Sequence, residues 1–243
     1  MRTPSPRELL DAWDDGSALP GPERPTPLLC CATGLGRAQV AALPVGEWNR
    51  LIVEVRQRVF GDILRTVVEC PGCGLALEVA LSASTLLAVP PTTQDVEAFQ
   101  GGYHVRCREP RARDLVEAAA TGSAAGAKTL LFSRSVVWAE RDGVAVEDPA
   151  ELPDAIVTAA ADALARANPL LDVELPLTCE ECGSAWSLPF DIGAYLWHEL
   201  DGWAVRLLDD VHALASAYGW READVLELSK TRRRHYLELV GHG

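Results

Sequence analysis

A pair of Cys-x-x-Cys-Gly motifs constrains this sequence more than any other feature. The first motif contributes Cys70 and Cys73, and the second contributes Cys179 and Cys182. Each motif is typical of a tight turn that directs two thiolates to one point, and four thiolates complete the tetrahedral shell of a zinc ion. We therefore predict that the two motifs together bind one structural Zn²⁺. Because four cysteine ligands leave no open coordination position, this metal is not expected to activate water.

The two motifs are far apart in the chain, with the 105 residues 74–178 between them. Loop closure costs only about 0.6 kcal/mol more for each doubling of the loop, whereas structural zinc contributes about 10–16 kcal/mol in small peptides. A folded insert is therefore compatible with a shared site. The alternative is that the cysteines form two independent redox pairs or are simply buried thiols. Redox motifs of this spacing normally begin a helix near a βαβ unit, and here both motifs lie between strand-like segments.

Apolar residues alternate with smaller or polar ones after each motif: Leu75, Leu77, Val79 and Leu81 follow the first, and Trp186, Leu188 and Phe190 follow the second. A period of two predicts half-buried strands. Val67 and Val68 precede the first motif, and Leu175 and Leu177 precede the second. Each motif is therefore predicted to be the turn of a β-hairpin, so that one supersecondary unit occurs twice.

The remaining pattern predicts an α+β fold in which helical N- and C-terminal parts surround a split zinc ribbon with a mixed α/β insert. Trp48, Ile52 and Val55 fall on one helix face that Gly61 is placed to end. The predicted segments are a helical region (1–62), the first hairpin (63–82), the insert (83–170), the second hairpin (171–190) and a helix–turn–helix region (191–243).

Within the insert, residues 136–146 are predicted to form a hairpin that turns at Asp142-Gly143. Residues 152–167 have helical periodicity that Asn168-Pro169 should stop. Residues 121–126 are small and contain glycine, which is typical of a loop, and the Pro- and Gly-rich residues 19–27 are predicted to be another.

Charge and hydropathy restrict the class of protein. The chain of 243 residues has a formal net charge of −13, which argues against a protein whose main role is to bind a phosphate backbone and favours solubility or a basic partner. No run approaches the roughly 20 apolar residues that span a bilayer, and no apolar leader precedes Asp11 and Asp14. A cytoplasmic protein without a membrane segment is therefore expected, with its thiols reduced.

The other three cysteines are not matched by a motif. Cys30 and Cys31 follow two leucines and are predicted to lie in the core. Cys107 lies in a strand-like segment and is predicted to be a packed thiol, with a His-x-x-Cys ligand pair with His104 as the alternative.

No catalytic set is evident. Three of the five histidines fall within helical patterns, and no glycine-rich phosphate loop follows a strand. The chain is therefore predicted not to be an enzyme.

The order of several motifs resembles the T-even-phage-type baseplate hub assembly chaperones, which are encoded with contractile phage tails and phage-like contractile injection systems. The resemblance covers nearly the whole chain through residues 8–13 (ELLDAW), 59–61 (VFG), 70–74 (CPGCG), 103–115, 179–183 (CEECG), 196–200 (LWHEL), 218–220 (YGW) and 233–237 (RRHYL). The chain departs from the family pattern at Glu180, where proline is frequent, and at Cys107, where an apolar residue is usual.

This resemblance implies a non-enzymatic assembly chaperone or adaptor whose partners are baseplate hub, spike or tape-measure proteins. The C-terminal helices are the expected contact surface, and the candidate partner-binding residues are Trp220, Arg232, Arg233, Arg234 and Tyr236. One alternative is a zinc-ribbon regulator that binds nucleic acid through the C-terminal helix pair and its arginines, although the net charge makes nucleic acid an unfavoured partner. A permanent structural component of the particle is a third alternative.

Overall fold

Helices form both ends of the chain, and short antiparallel hairpins and sheets lie between them. The computed structural model describes residues 1–88, 90 and 94–241. The helices within these residues are α1 (Pro6–Ser17), α2 (Thr26–Thr33), α3 (Arg37–Ala41), α4 (Val45–Phe60), α5 (Ala83–Leu87), α6 (Ala112–Ala120), α7 (Ala124–Ser135), α8 (Asp154–Ala167), α9 (Ile192–Tyr218), α10 (Glu222–Glu227) and α11 (Lys230–Gly241). Two 3₁₀ turns, Gly21–Glu23 and Pro149–Glu151, complete the helical content there. The predicted α+β class is confirmed.

The strands of the described residues form three antiparallel sheets. They are β1 (Ile63–Glu69), β2 (Ala76–Ser82), β3 (Val96–Gln100), β4 (Tyr103–Cys107), β5 (Val136–Arg141), β6 (Val144–Ala145), β7 (Glu174–Thr178) and β8 (Ala185–Pro189). β1 pairs with β2 and β7 pairs with β8, while the other four form one sheet in the order β3-β4-β5-β6. Both predicted hairpins that flank the cysteine motifs are therefore present.

Apolar side chains bury themselves in three clusters. The first cluster packs α2 and α4 against both cysteine hairpins and the first half of α9, and it includes Ile52, Leu64, Leu175 and Leu196. The second lies between α8 and one face of the four-stranded sheet. The third packs the second half of α9 against α10 and α11. The 27-residue helix α9 thus connects the core that holds the hairpins to the C-terminal core.

A buried arginine joins the first hairpin to α9. The side chain of Arg56 donates two hydrogen bonds to the carboxylate of Glu199, both 2.7 Å long. It also donates to the carbonyls of Gly61 and Ile63, at 2.6 and 2.8 Å, where the chain enters β1. The hydroxyl of Tyr195, one turn before Glu199, accepts from the amide of Arg65 and donates to its carbonyl, both at 2.9 Å. These contacts fix the start of β1 against α9.

A second polar cluster ties the insert to the N-terminal helices. Asn168 is 3% exposed, and its amide nitrogen donates to Glu109 at 2.8 Å. The other carboxylate oxygen of Glu109 accepts from the backbone amide of Gly46 at 3.1 Å. Gly46 leaves no room for a side chain, because a Cβ there would lie 1.9 Å from Asn168 Nδ2. The close approach of the buried Asn168 side chain therefore favours glycine at the start of α4.

Local patterns were correct for several elements and wrong for others. The turn at Asp142-Gly143 and the end of α8 before Asn168 are confirmed. Residues 19–27 are not a simple loop, because they contain a 3₁₀ turn and the start of α2, where proline fits the first helical turn. The loop at 121–126 is shorter than predicted, since Ser123 caps α7 by accepting from the amide of Gly126. The helix–turn–helix region predicted at 191–243 contains three helices among its described residues, because the segment after α9 is divided into α10 and α11.

Candidate metal centre

The two cysteine hairpins are built in the same way, residue by residue. Glu69 pairs with Ala76 in the first, and Thr178 pairs with Ala185 in the second. In the first turn, the amide of Cys70 donates to the carbonyl of Leu75 at 2.9 Å, and the amide of Gly74 donates to the carbonyl of Cys70 at 2.8 Å. A shift of 109 positions along the chain superimposes these pairings on those of the second hairpin.

The second turn repeats both turn hydrogen bonds. The amide of Cys179 donates to the carbonyl of Ser184 at 2.9 Å, and that of Gly183 donates to the carbonyl of Cys179 at 2.8 Å. Gly74 and Gly183 have φ values of 75° and 71°, in the left-handed region where a side chain is strained. The glycine that ends each motif is therefore required by the turn.

The fold brings the four sulfur atoms together. Cys70 Sγ lies 3.6 Å from Cys182 Sγ, and Cys73 Sγ lies 3.7 Å from Cys179 Sγ. All four lie within 4.8 Å of one another. Cys70 and Cys179 are buried, whereas Cys73 and Cys182 are exposed. Distances and burial therefore follow the same approximate twofold relation as the hairpins.

These distances match a tetrahedral metal shell better than any covalent pairing of the sulfurs. A Zn–S bond of about 2.3 Å sets the edge of a ZnS₄ tetrahedron at about 3.8 Å, close to both measured contacts. A disulfide would need about 2.05 Å between sulfurs. The four thiols are thus arranged as a potential metal site.

The surroundings of the cluster favour the thiolate form of one cysteine. Burial acts to raise the pKa of Cys70, but hydrogen bonds from the amides of Gly72 and Cys73 and from the neighbouring thiols outweigh it and lower that pKa to about 7. For Cys73, the amide of Leu75 favours the thiolate, yet contacts with Cys182, burial and the other thiols raise its pKa. A metal that bound all four sulfurs would therefore displace a proton from Cys73.

Gly72 also belongs to the site, although sequence reasoning did not single it out. A Cβ at this position would lie 3.1 Å from Ser184 Cβ and 3.3 Å from Cys182 Sγ. The missing side chain lets the two turns approach each other. Only the Pro-Gly between the first two cysteines could have indicated this, and Glu181 occupies the matching place in the second turn.

The three other cysteines lie outside the cluster. Cys107 is fully buried in the second cluster, as predicted, and burial raises its pKa to about 11. His104 lies three residues away in the same strand and therefore on the opposite face of the sheet, so the two do not form a ligand pair. Cys30 and Cys31 lie on α2 and are only half-buried, so the prediction that they are core residues holds in part.

The structure separates the candidate partner-binding residues into two groups. Trp220 stacks on Tyr218, with ring centroids 4.8 Å apart, and meets the ring of Tyr236 edge-on at 4.9 Å. Both Trp220 and Tyr236 are partly exposed. They form an aromatic cluster, Tyr218, Trp220 and Tyr236, around the turn after α9.

The basic run is less uniform than the sequence suggests. Arg232 and Arg234 are exposed, but Arg233 is 9% exposed and its Nε lies 3.2 Å from a carboxylate oxygen of Asp210 on α9. Its charge therefore serves the packing of α11 on α9. Of the three arginines predicted to bind a partner, only Arg232 and Arg234 are therefore exposed for such contact.

No helix among residues 1–88, 90 and 94–241 combines the length and the apolar character needed to cross a membrane. Comparisons with protein-family models, with curated proteins and with solved structures gave no match to this chain.

Proposed function

We propose that this chain is a non-enzymatic adaptor, held together by one structural Zn²⁺, that assists assembly of the baseplate hub of a contractile injection system or phage-like tail. The observation that carries the proposal is the convergence of the sulfurs of Cys70, Cys73, Cys179 and Cys182 within 4.8 Å of one another, with two of the contacts, at 3.6 and 3.7 Å, close to the edge of a ZnS₄ tetrahedron. A closed four-sulfur shell stabilises a fold and offers no position for substrate. The protein would therefore act through its surfaces.

Tetrahedral sites with four thiolates select zinc or iron, and of these two metals we propose zinc. The thiols are expected to be reduced, and thus able to bind it, in the cytoplasm, where we place the protein. The ion would join the two hairpins into one split zinc ribbon across the insert. It would also fix α9, since the first hairpin contacts α9 through Arg56 and Tyr195. Such a brace suits a chaperone that presents a surface of constant shape.

The proposed contact surface is the aromatic cluster with its exposed cations. Tyr218, Trp220 and Tyr236 combine large apolar area with polar edges, a composition enriched in binding hot spots. Arg232 and Arg234 add exposed positive charge on the neighbouring helix. The choice of a baseplate hub, spike or tape-measure protein as the partner rests on the family resemblance of the ordered motifs.

The metal is tested directly on purified protein. We expect elemental analysis to give one zinc per chain, and replacement of Cys70 or Cys179 by serine to abolish zinc binding and lower the free energy of unfolding measured by circular dichroism. A red, iron-containing protein would exclude zinc. Full retention of structure without any metal would exclude a metal brace altogether.

Partner binding is tested by co-expression with the hub, spike and tape-measure proteins of the same gene neighbourhood. We expect one of them to co-purify with the chain and to lose solubility in its absence. Trp220→Ala and Tyr236→Ala should each reduce the co-purified amount, whereas Val205→Ala, which removes exposed apolar surface from α9, should not. If no such protein co-purifies and its solubility is independent of this chain, the proposed role is wrong.

A further inference from the structure

The four-stranded sheet β3-β4-β5-β6 has two unlike faces. One face packs on α8 through side chains that include Ala98, Val105 and Ala139. Because side chains alternate along a strand, the opposite face carries a different set, which we call the outer face: Glu97, Phe99, His104, Arg106, Trp138 and Glu140. Phe99 is 65% exposed, so a large apolar ring of this sheet faces solvent.

The aromatic rings of the outer face are in contact with one another. The ring of Phe99 stacks on the imidazole of His104, with centroids 3.9 Å apart and planes 22° apart. The indole of Trp138 meets the same imidazole edge-on at 4.6 Å. His104 therefore supports one side of the Phe99 ring, and the exposed side is free to stack on a planar ligand group.

Two carboxylates flank the rings. Glu97 Oε2 lies 3.0 Å from His104 Nε2, and Glu140 Oε1 lies 3.5 Å from His104 Nδ1. A neutral imidazole carries one N–H and can donate to only one of them, and a protonated imidazole still leaves one negative charge among the three groups. Both glutamate side chains are at least 40% exposed. The outer face thus keeps carboxylate acceptors that this histidine does not fully satisfy.

The nearest arginines do not neutralise these carboxylates. Arg106 pairs with Asp95 at 3.0 Å. Arg141 lies over the ring of Tyr103, 5.2 Å from its centroid, and its Nε lies 3.8 Å from Asp142. Arg106 also lies opposite Glu97 in the strand register, but each arginine pairs with an aspartate, and within the described residues neither forms an ion pair with Glu140.

The outer face ends in a depression of about 450 Å³ that is lined by Phe99, His104, Glu140 and the turns at 101–102 and 142–143. The amide of Asp142 donates to the carbonyl of Gly102 at 2.9 Å, which joins the two turns. A side chain that reached across Phe99 would enter this space. Its walls combine the rings of Phe99, Tyr103 and His104 with the carboxylates of Glu140 and Asp142.

We propose that the outer face binds an arginine side chain from a basic segment of a partner protein. A guanidinium is planar, so it can stack on the exposed ring of Phe99 while its N–H groups donate to Glu140 or Glu97. A lysine ammonium is a compact, strongly hydrated charge and cannot stack in this way. The outer face lies on the four-stranded sheet, apart in the fold from the aromatic cluster of Tyr218, Trp220 and Tyr236. The inference therefore goes beyond the proposed adaptor function, and it does not depend on which baseplate protein is the partner.

The test uses a fluorescein-labelled heptapeptide of alternating serine and arginine, with the matching serine–lysine peptide as the control for charge alone. Fluorescence anisotropy with the 243-residue chain, purified in the presence of zinc, measures the affinity at low and at moderate salt. We expect the arginine peptide to bind more tightly than the lysine peptide. Phe99→Ala should weaken its binding about fivefold, from loss of the stacked cation, and Glu140→Gln about two- to fivefold, from loss of an exposed ion pair.

The control variant is Glu227→Gln, which removes the same charge from an exposed position on α10 and should leave the affinity within about twofold. Thermal unfolding checks that each variant is folded, which we expect because the altered side chains are exposed. The proposal is overturned if the arginine peptide does not bind, or if all variants bind it equally. It is also overturned if Phe99→Ala dissolves a self-associated form in sedimentation, because the occupant is then a second copy of this chain.

Discussion

The proposal that the two hairpins share one ion makes a quantitative prediction about the free energy of unfolding. If a single Zn²⁺ binds the folded chain and not the unfolded one, each tenfold rise in free zinc above the dissociation constant raises the free energy of unfolding by about 1.4 kcal/mol. Two independent ions would double that slope to about 2.8 kcal/mol. Urea unfolding in zinc buffers, followed by circular dichroism, measures the slope directly.

The geometry further predicts that damage to the two hairpins is not additive. Cys70→Ser/Cys73→Ser and Cys179→Ser/Cys182→Ser each leave only two of the four sulfurs that lie within 4.8 Å of one another. Each variant should therefore lose the zinc slope, and replacing all four cysteines should destabilise the chain no further than either pair does.

A matched control removes two thiols outside the cluster. Cys30→Ser/Cys31→Ser changes two half-buried positions on α2 and should keep the full dependence on zinc, whatever its basal stability. Our reasoning is refuted if either hairpin variant keeps a slope of about 1.4 kcal/mol per decade, or if the two losses add. Either result would mean that the hairpins bind separately.

Three further changes test the contacts that surround the site. Arg56→Met should reduce the free energy of unfolding by about 3 kcal/mol, because it leaves the partly buried Glu199 and the carbonyls of Gly61 and Ile63 without their hydrogen-bond donor. In urea denaturation, the double variant with Glu199→Met should recover part of that loss. Gly46→Ala should cost about 1–3 kcal/mol, since the new Cβ displaces the buried side chain of Asn168, and a thermal melt in which it matches the unsubstituted chain would contradict the described packing. Hydrogen bonds from Ser84, Ser82 and Gln57 hold the pKa of Asp62 below its usual range. Ionised Asp62 therefore contributes to the free energy of unfolding at neutral pH, and this contribution is lost as the pH falls through the folded-state pKa. Asp62→Asn should be less stable than the unsubstituted chain at pH 7, and the difference should shrink below about pH 4. A stability difference that does not depend on pH would argue against this account.

Features that depend on short spacing were predictable from the sequence. The period of two around Leu77 and Leu188 fixes the cysteine hairpins, and the left-handed glycine after each second cysteine fixes their turns. The α+β class follows from the same local patterns. Each of these patterns involves only a few neighbouring residues, so the hairpins and turns can be predicted without knowledge of the tertiary structure.

Features that depend on contacts across the chain were not predictable. Arg233 has the same local setting as Arg232, and only the approach of Asp210 on α9 explains why it is buried. The contact between the rings of Phe99, His104 and Trp138 on the outer face could not be predicted, because these residues lie on three strands and their contact depends on the strand register. The close contact between Gly46 and the side chain of Asn168 joins residues far apart in the chain, and no periodic pattern in the sequence indicates it.

The shift of 109 residues between equivalent positions of the two hairpins also sets a schedule during synthesis. At roughly 5–20 residues per second, the ribosome needs about 5–20 s after Cys73 to deliver the equivalent Cys182. Until Cys179 is made, near the end of that interval, the nascent chain offers only two of the four sulfurs of the proposed site. Stable metal capture would therefore occur only once the insert and both hairpins have been made, so that a bound ion would distinguish finished copies from incomplete ones.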